Sequence, residues 1–542
     1  MYGMVRTTWS HLWKWHHQAI DLLRFSVGMD ARNEKKEGGE GEASRSNGSP
    51  PFYTRRQQVG LILGPLLFIV TLFILSPQGM SYEAQAVLAS TLWIATWWIT
   101  EAIPIPATSL LPIVLFPLTG ALASGDTTAA YGDPTIFLFM GGFMLALAME
   151  RWNLHKRIAL NIISLVGTST ERIILGTMVA TGFLSMWISN SATAMMMMPI
   201  GLAIIYQIAE SLKEDPSVDT SPGKFNFGKS LMLGIAYSAS IGGIGTLIGT
   251  PPNAILAATV RKMFGVEISF AQWMLFAVPM VVLLLALTWF YLVKVAFPMN
   301  LKNIPGGREV IQAEKQALGP LTGEERWVGI VFFLAAVAWI FRVPLEKVIP
   351  GINDTLIAIG AALVLFVIPS TNKPGERILN WETAKNLPWG ILLLFGGGLA
   401  IAEGFTSTGL DQWIGKQLTL LEGVGFALTL VLTITLVIFL TEITSNTATA
   451  TMMYPIMASF AAALSVHPYG LMIAAGVAAS CAYMLPVATP PNAVVFGSGY
   501  IRIEDMARAG FWLNLISIAV IFVAIYFYLP PVWGIDLLSP LK

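Results

Sequence analysis

Two short polar motifs interrupt long apolar stretches of this chain. One reads SNSATAMMMMPI at residues 189–200 and the other reads SNTATATMMYPI at residues 445–456, and they agree at nine of twelve positions. Hydroxyl and amide oxygens are ligands that suit a hard monovalent cation such as Na⁺. A helix that starts at a Ser-Asn step also presents free backbone N–H groups, which attract an anion. The motifs therefore predict a site for both kinds of ion.

Each motif is followed by a second shared phrase, GTPPNA at 249–254 and ATPPNA at 488–493. Pro252 and Pro491 lack an N–H group and break any helix there, so carbonyl groups one turn earlier lose their partners. The neighbouring Thr and Asn side chains add further oxygens. We therefore expect four polar breaks, arranged as two pairs.

A third shared phrase precedes each motif, FMGGFMLALAME at 139–150 and FGGGLAIAEG at 395–404. Three matching phrases in the same order indicate an internal duplication. Five crossings are predicted between the two Ser-Asn motifs, near 230–260, 271–297, 326–343, 355–369 and 387–408. Because five is odd, the second copy enters the membrane from the opposite face. This inverted repeat is typical of secondary transporters.

The stretches around the first motif are too short to cross a membrane. Residues 175–188 and 194–206 each give about 20 Å of helix, whereas the hydrocarbon layer is about 30 Å thick. We therefore predict two re-entrant helical hairpins, at about 172–206 and about 425–464. Non-helical backbone at that depth is tolerated only inside protein or beside water.

The composition indicates an all-α polytopic membrane protein. Of the 542 residues, 55% are hydrophobic and only 12% are charged, against about 25% charged in a soluble domain. The formal net charge of zero leaves no basic surface for nucleic acid. The soluble portions show no nucleophile–base pair and no phosphate-binding loop, so we predict that the chain is not an enzyme.

The predicted organisation starts with a cytoplasmic tail at 1–57, in which 1–27 is either an interfacial helix or an unstructured tail and 28–51 is disordered. The tail holds nine Lys and Arg residues, and such an excess marks the cytoplasmic side. The first half spans 58–300, with single membrane segments near 104–123 and 135–165. A hydrophilic linker at 301–325, the second repeat at 326–535 and a tail at 536–542 follow. We expect the plasma membrane as the location.

The predicted membrane portions near the site carry almost no charge. Those between residues 173 and 260 hold no Asp, Glu, Lys or Arg, and the second half holds only Glu442 at its hairpin. A centre without Arg or Lys must take positive charge from elsewhere in order to bind an anion. Bound Na⁺ supplies it, with an attraction of about several kcal/mol at low dielectric. The sequence thus predicts Na⁺-coupled uptake of a small anion.

These residues resemble the divalent anion:sodium symporter family. The similarity is clearest in TLWIATWWITEAIPIPATSLLPIVLFPL (91–118), FLFMGGFMLALAMERWNLHKRIAL (137–160) and CAYMLPVATPPNAVVFGSG (481–499), which are most similar to bacterial sodium-dependent dicarboxylate symporters. The resemblance implies a homodimer with about eleven spans and two re-entrant hairpins. It also implies a scaffold, an elevator-type transport part, and C4-dicarboxylates (succinate, fumarate, malate) carried with at least two Na⁺ ions.

The resemblance also implies site residues. The first sodium site would use Ser185, Ser189, Asn190 and Gly249. The second would use Thr441, Thr444, Asn446 and Ala488. The substrate carboxylates would meet Ser189, Asn190, Ser191, Ser445, Asn446 and Thr447, with Thr250, Thr489 and Pro490 nearby. Ser191 departs from the family, which usually has Thr there, but it keeps the hydroxyl group.

Several alternatives stay open. The carrier could run dicarboxylate exchange or prefer sulfate or citrate, and an anion channel is a further candidate. The glycine-rich run GGIGTLIG at 242–249 indicates close helix packing or unwinding rather than a dinucleotide loop. For Glu442, we weigh a functional role, in which its hydrogen bonds hold the hairpin tip, against a purely structural one.

Overall fold

The computed structural model describes residues 53–75, 77–167, 169–212, 219–299, 307–418 and 425–541. The predictions for 1–27 and 28–51 therefore lie outside the described residues. Within those ranges the regular structure is helical, and the β contact is an isolated bridge between Pro369 and Arg377. The all-α prediction is confirmed for the described part of the chain.

The helices have the following bounds. In the first half they span Arg55–Ile69, Tyr82–Thr100, Ile105–Thr108, Leu111–Thr119, Ser124–Ala129, Pro134–Arg151, Leu154–Val166, Thr170–Ser185, Asn190–Ser211, Asn226–Gly243, Pro251–Phe264 and Phe270–Phe290. In the second half they span Gly307–Ala317, Gly323–Ile340, Arg342–Glu346, Asp354–Val367, Trp381–Ala384, Trp389–Thr408, Leu410–Leu418, Phe426–Thr441, Asn446–Ala463, Pro468–Ala479, Pro490–Phe496, Ile503–Val523 and Leu529–Trp533. Short π-helical turns extend three of them, at Val70–Ile74, Tyr291–Ala296 and Ala524–Tyr528.

Several helices have the length and apolar composition of a membrane span. Six such stretches occur in the described residues, at Arg55–Ile74, Ser124–Arg151, Asn190–Ser211, Phe270–Ala296, Trp389–Thr408 and Ile503–Trp533. Shorter apolar helices lie at Ile105–Thr119, Asp354–Val367, Phe426–Thr441 and Pro468–Ala479. The figure of about eleven spans stays a prediction.

Each Ser-Asn motif lies at the tip of a pair of helices. The first hairpin consists of Thr170–Ser185 and Asn190–Ser211, and the second consists of Phe426–Thr441 and Asn446–Ala463. The second arm of the first hairpin has 22 residues, or about 33 Å of helix. Our expectation that this arm is too short to cross was therefore wrong. Its last turns carry polar residues that extend the helix beyond its apolar part.

Each Thr-Pro-Pro-Asn phrase interrupts a helix. The first broken helix consists of Asn226–Gly243 and Pro251–Phe264, with the non-helical residues 244–250 between them. The second broken helix consists of Pro468–Ala479 and Pro490–Phe496. In both, the second piece begins at the first proline, whose fixed φ suits the first helical turn.

The predictions of single membrane segments at 135–165 and 104–123 were wrong. Residues 135–165 form two helices, because Asn153 adopts a left-handed conformation with φ of 57°. The second of these helices is amphipathic: Lys156 pairs with Glu314 at 2.8 Å and Arg157 pairs with Glu325 at 2.7 Å. The predicted linker 301–325 accordingly contains a helix that carries Glu314. Residues 104–123 are also divided. They form two short helices, Ile105–Thr108 and Leu111–Thr119, which are followed by a turn.

The two halves interlock around the hairpins. The arm Asn190–Ser211 packs against Pro490–Phe496, and the arm Asn446–Ala463 packs against Pro251–Phe264. Across the second contact, the hydroxyl of Tyr454 donates to the Pro252 carbonyl at 2.6 Å. Each hairpin therefore packs against the broken helix of the opposite half.

A close glycine contact also joins the first hairpin to the broken helix of its own half. A Cβ on Gly242 would lie 2.2 Å from the Gly182 carbonyl oxygen, a distance that forces the backbones apart. The interpretation of 242–249 as a packing and unwinding element is therefore confirmed.

Candidate functional site

Three oxygen atoms from three elements meet at the tip of the first hairpin. The hydroxyl oxygen of the buried Ser185 lies 2.6 Å from Asn190 Oδ1 and 2.6 Å from the Ala239 carbonyl oxygen. A serine hydroxyl has a single proton, so it satisfies only one of these two acceptors. We call this group the first oxygen cluster. Its excess of lone pairs suits a cation.

The Gly249 carbonyl oxygen faces the same space. A Cβ on Gly243 would lie 2.5 Å from Asn190 Oδ1 and 3.1 Å from that carbonyl oxygen. Gly243 therefore leaves open a small cradle between two predicted ligands of the first sodium site. Gly249 belongs to the non-helical stretch 244–250.

Filling this cradle gives a first testable prediction. Gly243→Ala should lower sodium-driven uptake by at least about tenfold, because a methyl group in so tight a contact must displace Asn190. Radiolabelled uptake by purified protein in liposomes measures this. Gly360→Ala is the matched control, since a Cβ on that helical glycine meets nothing within 4 Å. Equal loss in both variants, or full activity in Gly243→Ala, would contradict the cradle.

The second hairpin repeats this geometry with different residues. The Thr441 hydroxyl oxygen lies 2.6 Å from Asn446 Oδ1 and 2.9 Å from the Ala479 carbonyl oxygen. We call this group the second oxygen cluster. Serine in one half and threonine in the other both place a hydroxyl group at the centre of the cluster.

The remaining residues of the predicted second sodium site are placed differently. The Thr444 hydroxyl lies 2.8 Å from the Leu440 carbonyl oxygen and 2.6 Å from the Thr449 hydroxyl, so its bonds stay within the hairpin. Ala488 lies in the second break, where its N–H donates to the Leu485 carbonyl at 3.2 Å.

The Ser-Asn steps cap the second arm of each hairpin. Ser189 accepts from the Ala192 N–H at 3.3 Å, and Ser445 accepts from the Ala448 N–H at 3.5 Å. The predicted substrate residues Ser189, Asn190, Ser191, Ser445, Asn446 and Thr447 are all half-buried, between flanking residues that are mostly buried. Each tip therefore combines partial accessibility with the free N–H groups of a helix start, which suits a carboxylate.

The asparagines of the two Thr-Pro-Pro-Asn phrases satisfy the carbonyl groups of the breaks. Asn253 Nδ2 donates to the carbonyl oxygens of Gly243, Ile244 and Thr246 at 3.2, 3.1 and 2.7 Å. Asn492 Nδ2 does the same for Ala482 and Leu485 at 3.2 and 3.0 Å. The sequence predicts that these residues add oxygens, and both buried Oδ1 atoms indeed lack a partner among the described residues. Their nitrogens have a second role, because they hold the unwound backbone.

The other predicted residues of the breaks differ in burial. Thr250 and Thr489 precede the second pieces of the broken helices and are each only 4% exposed. Pro490 is exposed. Thr489 accepts from the Asn492 N–H at 3.3 Å, so its hydroxyl is partly engaged as a cap.

Each hairpin tip is also tied to the break of its own half, by different chemistry in the two halves. In the first half the Thr246 hydroxyl donates to the Met186 carbonyl at 2.5 Å. In the second half, Glu442 occupies the position equivalent to Met186. Its buried carboxylate accepts from the N–H groups of Tyr483 and Met484 at 2.7 and 3.0 Å.

Asn514 completes the bonds around Glu442. Asn514 lies on the helix Ile503–Val523, and its Nδ2 donates to that carboxylate at 2.8 Å. Sequence reasoning missed Asn514, although an isolated polar residue in an apolar run was a usable signal. It also missed the carbonyl groups of Ala239 and Ala479, for which the sequence offers no signal. The structure agrees with the interpretation that Glu442 holds the hairpin tip by hydrogen bonds.

Comparison with known protein families identifies the family of this chain. Residues 56–535 match the family described as Sodium:sulfate symporter transmembrane region. The chain belongs to this family. The divalent anion:sodium symporter resemblance is thereby confirmed, and so is the prediction of a transporter rather than an enzyme.

Relatives within the symporter family have high identity. The sodium-dependent dicarboxylate transporter SdcS of Staphylococcus saprophyticus is 54% identical over 494 residues, which cover 90% of this chain and 94% of the relative. SdcS of a Staphylococcus aureus strain is 54% identical over 502 residues, which cover 92% and 96% of the two chains.

Two solved structures share the fold. MtrF of Neisseria gonorrhoeae, described within a class of antimetabolite efflux pumps, has a TM-score of 0.53 at 11% identity and covers 87% of this chain and 95% of its own. The YdaH transporter of Alcanivorax borkumensis has a TM-score of 0.52 at 13% identity and covers 80% and 97%. At such low identity these likenesses concern the fold alone.

Proposed function

We propose that this symporter couples the uptake of C4-dicarboxylates such as succinate, fumarate and malate to the entry of at least two Na⁺ ions. The observation that carries the proposal is the repeated oxygen cluster, one at the tip of each hairpin. Relatives that are 54% identical are named as sodium-dependent dicarboxylate transporters, which supports the choice of ion and substrate.

The proposed roles follow from the geometry. Ser185, Asn190 and the Gly249 carbonyl would hold one Na⁺, and Thr441, Asn446 and the Ala488 carbonyl would hold the other. The substrate carboxylates would lie against the half-buried tips, where helix N–H groups and the bound cations attract negative charge. The oxygen clusters contain no basic side chain, so each Na⁺ raises the affinity for the anion. Coupling then follows from mutual stabilisation.

We further propose an elevator motion of the hairpins and broken helices against the remaining helices, in an inverted-repeat homodimer of the plasma membrane with a cytoplasmic N-terminus. Ion pairs at the end of the first broken helix support a movable contact. Arg261 pairs with Asp133, and Lys262 pairs with Glu403 at 2.6 Å. Two adjacent basic residues thus hold two different neighbouring helices. Charged contacts of this kind exchange partners more readily than a packed apolar core.

The direct test is the flux of labelled succinate into proteoliposomes that contain the purified protein. An inward Na⁺ gradient should accelerate uptake at least about tenfold over an equal K⁺ gradient, since the anion binds well only beside the cation. Uptake that is indifferent to Na⁺ would contradict the proposal.

The same preparation separates the alternatives. Uptake that requires internal dicarboxylate, regardless of Na⁺, would identify an exchanger. Competition by sulfate or citrate but not by fumarate would show that the substrate is not a C4-dicarboxylate. Unitary currents under a salt gradient would identify a channel.

A further inference from the structure

A cavity of about 540 Å³ has none of the predicted sodium or substrate residues in its lining. It opens between the start of the helix Asn226–Gly243, the π-helical turn Tyr291–Ala296 and the start of the helix Ile503–Val523. Lys229, in its lining, precedes Ala239 of the first oxygen cluster by about 15 Å along the helix. The cavity is thus separate from the proposed transport site.

The lining carries one positive charge without a carboxylate partner. Lys229 and Asp505 neutralise each other in an ion pair of 2.9 Å. Arg508 also lines the cavity, and among the described residues no carboxylate forms an ion pair with it. Arg508 is itself exposed, and an anion at the mouth of the cavity is a natural partner for its guanidinium group.

Tyr291 supplies a hydrogen-bonding group beside this charge. Its side chain lines the cavity and is only 8% exposed. Within the described part of the chain its hydroxyl has no hydrogen-bond partner, although it interacts electrostatically with Arg508. The hydroxyl can donate one hydrogen bond, so it and the Arg508 guanidinium group together suit a phosphate oxygen.

The remaining wall is apolar and open. Val295 is 60% exposed and Trp512 is 50% exposed, and Ile516 lies one turn beyond Trp512. In a membrane protein such side chains face acyl chains, and tryptophan prefers the boundary with water. A free phosphate ion would leave this part of the cavity unused, whereas a lipid occupies both parts.

We infer that this cavity binds the headgroup of an anionic phospholipid. The phosphate lies against Arg508 and Tyr291, and an acyl chain runs over Val295 and Trp512. The basic group at the membrane boundary favours an anionic headgroup over a zwitterionic one. This inference is independent of the proposed transport reaction.

Native mass spectrometry of the full-length protein in detergent tests the inference. Phosphatidylglycerol should bind in preference to phosphatidylcholine. Arg508→Gln should weaken phosphatidylglycerol binding by roughly tenfold, as expected for one charge-assisted hydrogen bond, and Tyr291→Phe should weaken it by less. The matched control is Arg326→Gln, since Arg326 is exposed on another helix and does not line the cavity.

The possible results separate clearly. Selective loss in Arg508→Gln with full binding in Arg326→Gln supports the inference. Equal binding of both lipids, or unchanged binding in Arg508→Gln, overturns it. Displacement of phosphatidylglycerol by millimolar inorganic phosphate would also overturn it, because the occupant would then be a free anion.

Discussion

Replacing Asn190 or Asn446 with alanine should reduce sodium-driven succinate uptake by about 10- to 100-fold. Each substitution removes one oxygen of a cluster whose other members lie within 2.6 to 2.9 Å of the central hydroxyl. Bonds to charged partners contribute about 1.5–3 kcal/mol, which corresponds to that range of affinity. Initial uptake rates at several Na⁺ concentrations provide the measurement.

The two variants also test whether the clusters hold separate ions. If each cluster binds one Na⁺, either variant should lower the steepness of the Na⁺ dependence as well as the affinity. The matched control is Asn161→Ala, since Asn161 is exposed on the helix Leu154–Val166. Retention of full uptake and full Na⁺ cooperativity in both site variants would contradict the assignment.

Glu442→Gln should raise the Na⁺ concentration for half-maximal uptake by about tenfold or more. The carboxylate accepts from the N–H groups of Tyr483 and Met484 and from Asn514. A glutamine has one acceptor oxygen, and its own NH₂ group would face donors. The unwound segment that carries Ala488 would therefore lose its link to the hairpin tip, and about 1.5–3 kcal/mol per lost charged bond weakens the site.

The control for this substitution is Glu382→Gln, because the Glu382 side chain is 75% exposed. Thermal unfolding in the absence of Na⁺ distinguishes a general loss of stability from a specific one. The expected pattern is a larger deficit in Na⁺ affinity than in maximal rate. An unchanged Na⁺ dependence would show that Glu442 only supports the fold.

The repeat shows how far sequence reasoning reaches in this protein. The Ser-Asn steps located both hairpin tips and the Thr-Pro-Pro-Asn phrases located both helix breaks, because capping and loss of an N–H group are local effects. Helix lengths were less predictable. The arm Asn190–Ser211 continues through polar residues, and the division at Asn153 depends on one left-handed residue.

The site itself required the tertiary structure. The Ala239 and Ala479 carbonyl groups have no signature, since every residue carries a carbonyl group, and only packing decides which one faces Ser185 or Thr441. The sequence also did not determine whether Asn253 bonds the break through its Oδ1 or its Nδ2, because an amide can either donate or accept.

The amino-acid sequence alone determined that this chain is an apolar, duplicated helical protein with neutral oxygen-bearing breaks in both halves. Composition, periodicity and motif order are properties of the chain itself. The tertiary structure decided which oxygens meet, which amides hold the unwound backbone, and that Glu442 anchors only the second half. These features depend on contacts between segments 38 to 72 residues apart, and the geometry of such contacts is set by the packing of the whole fold.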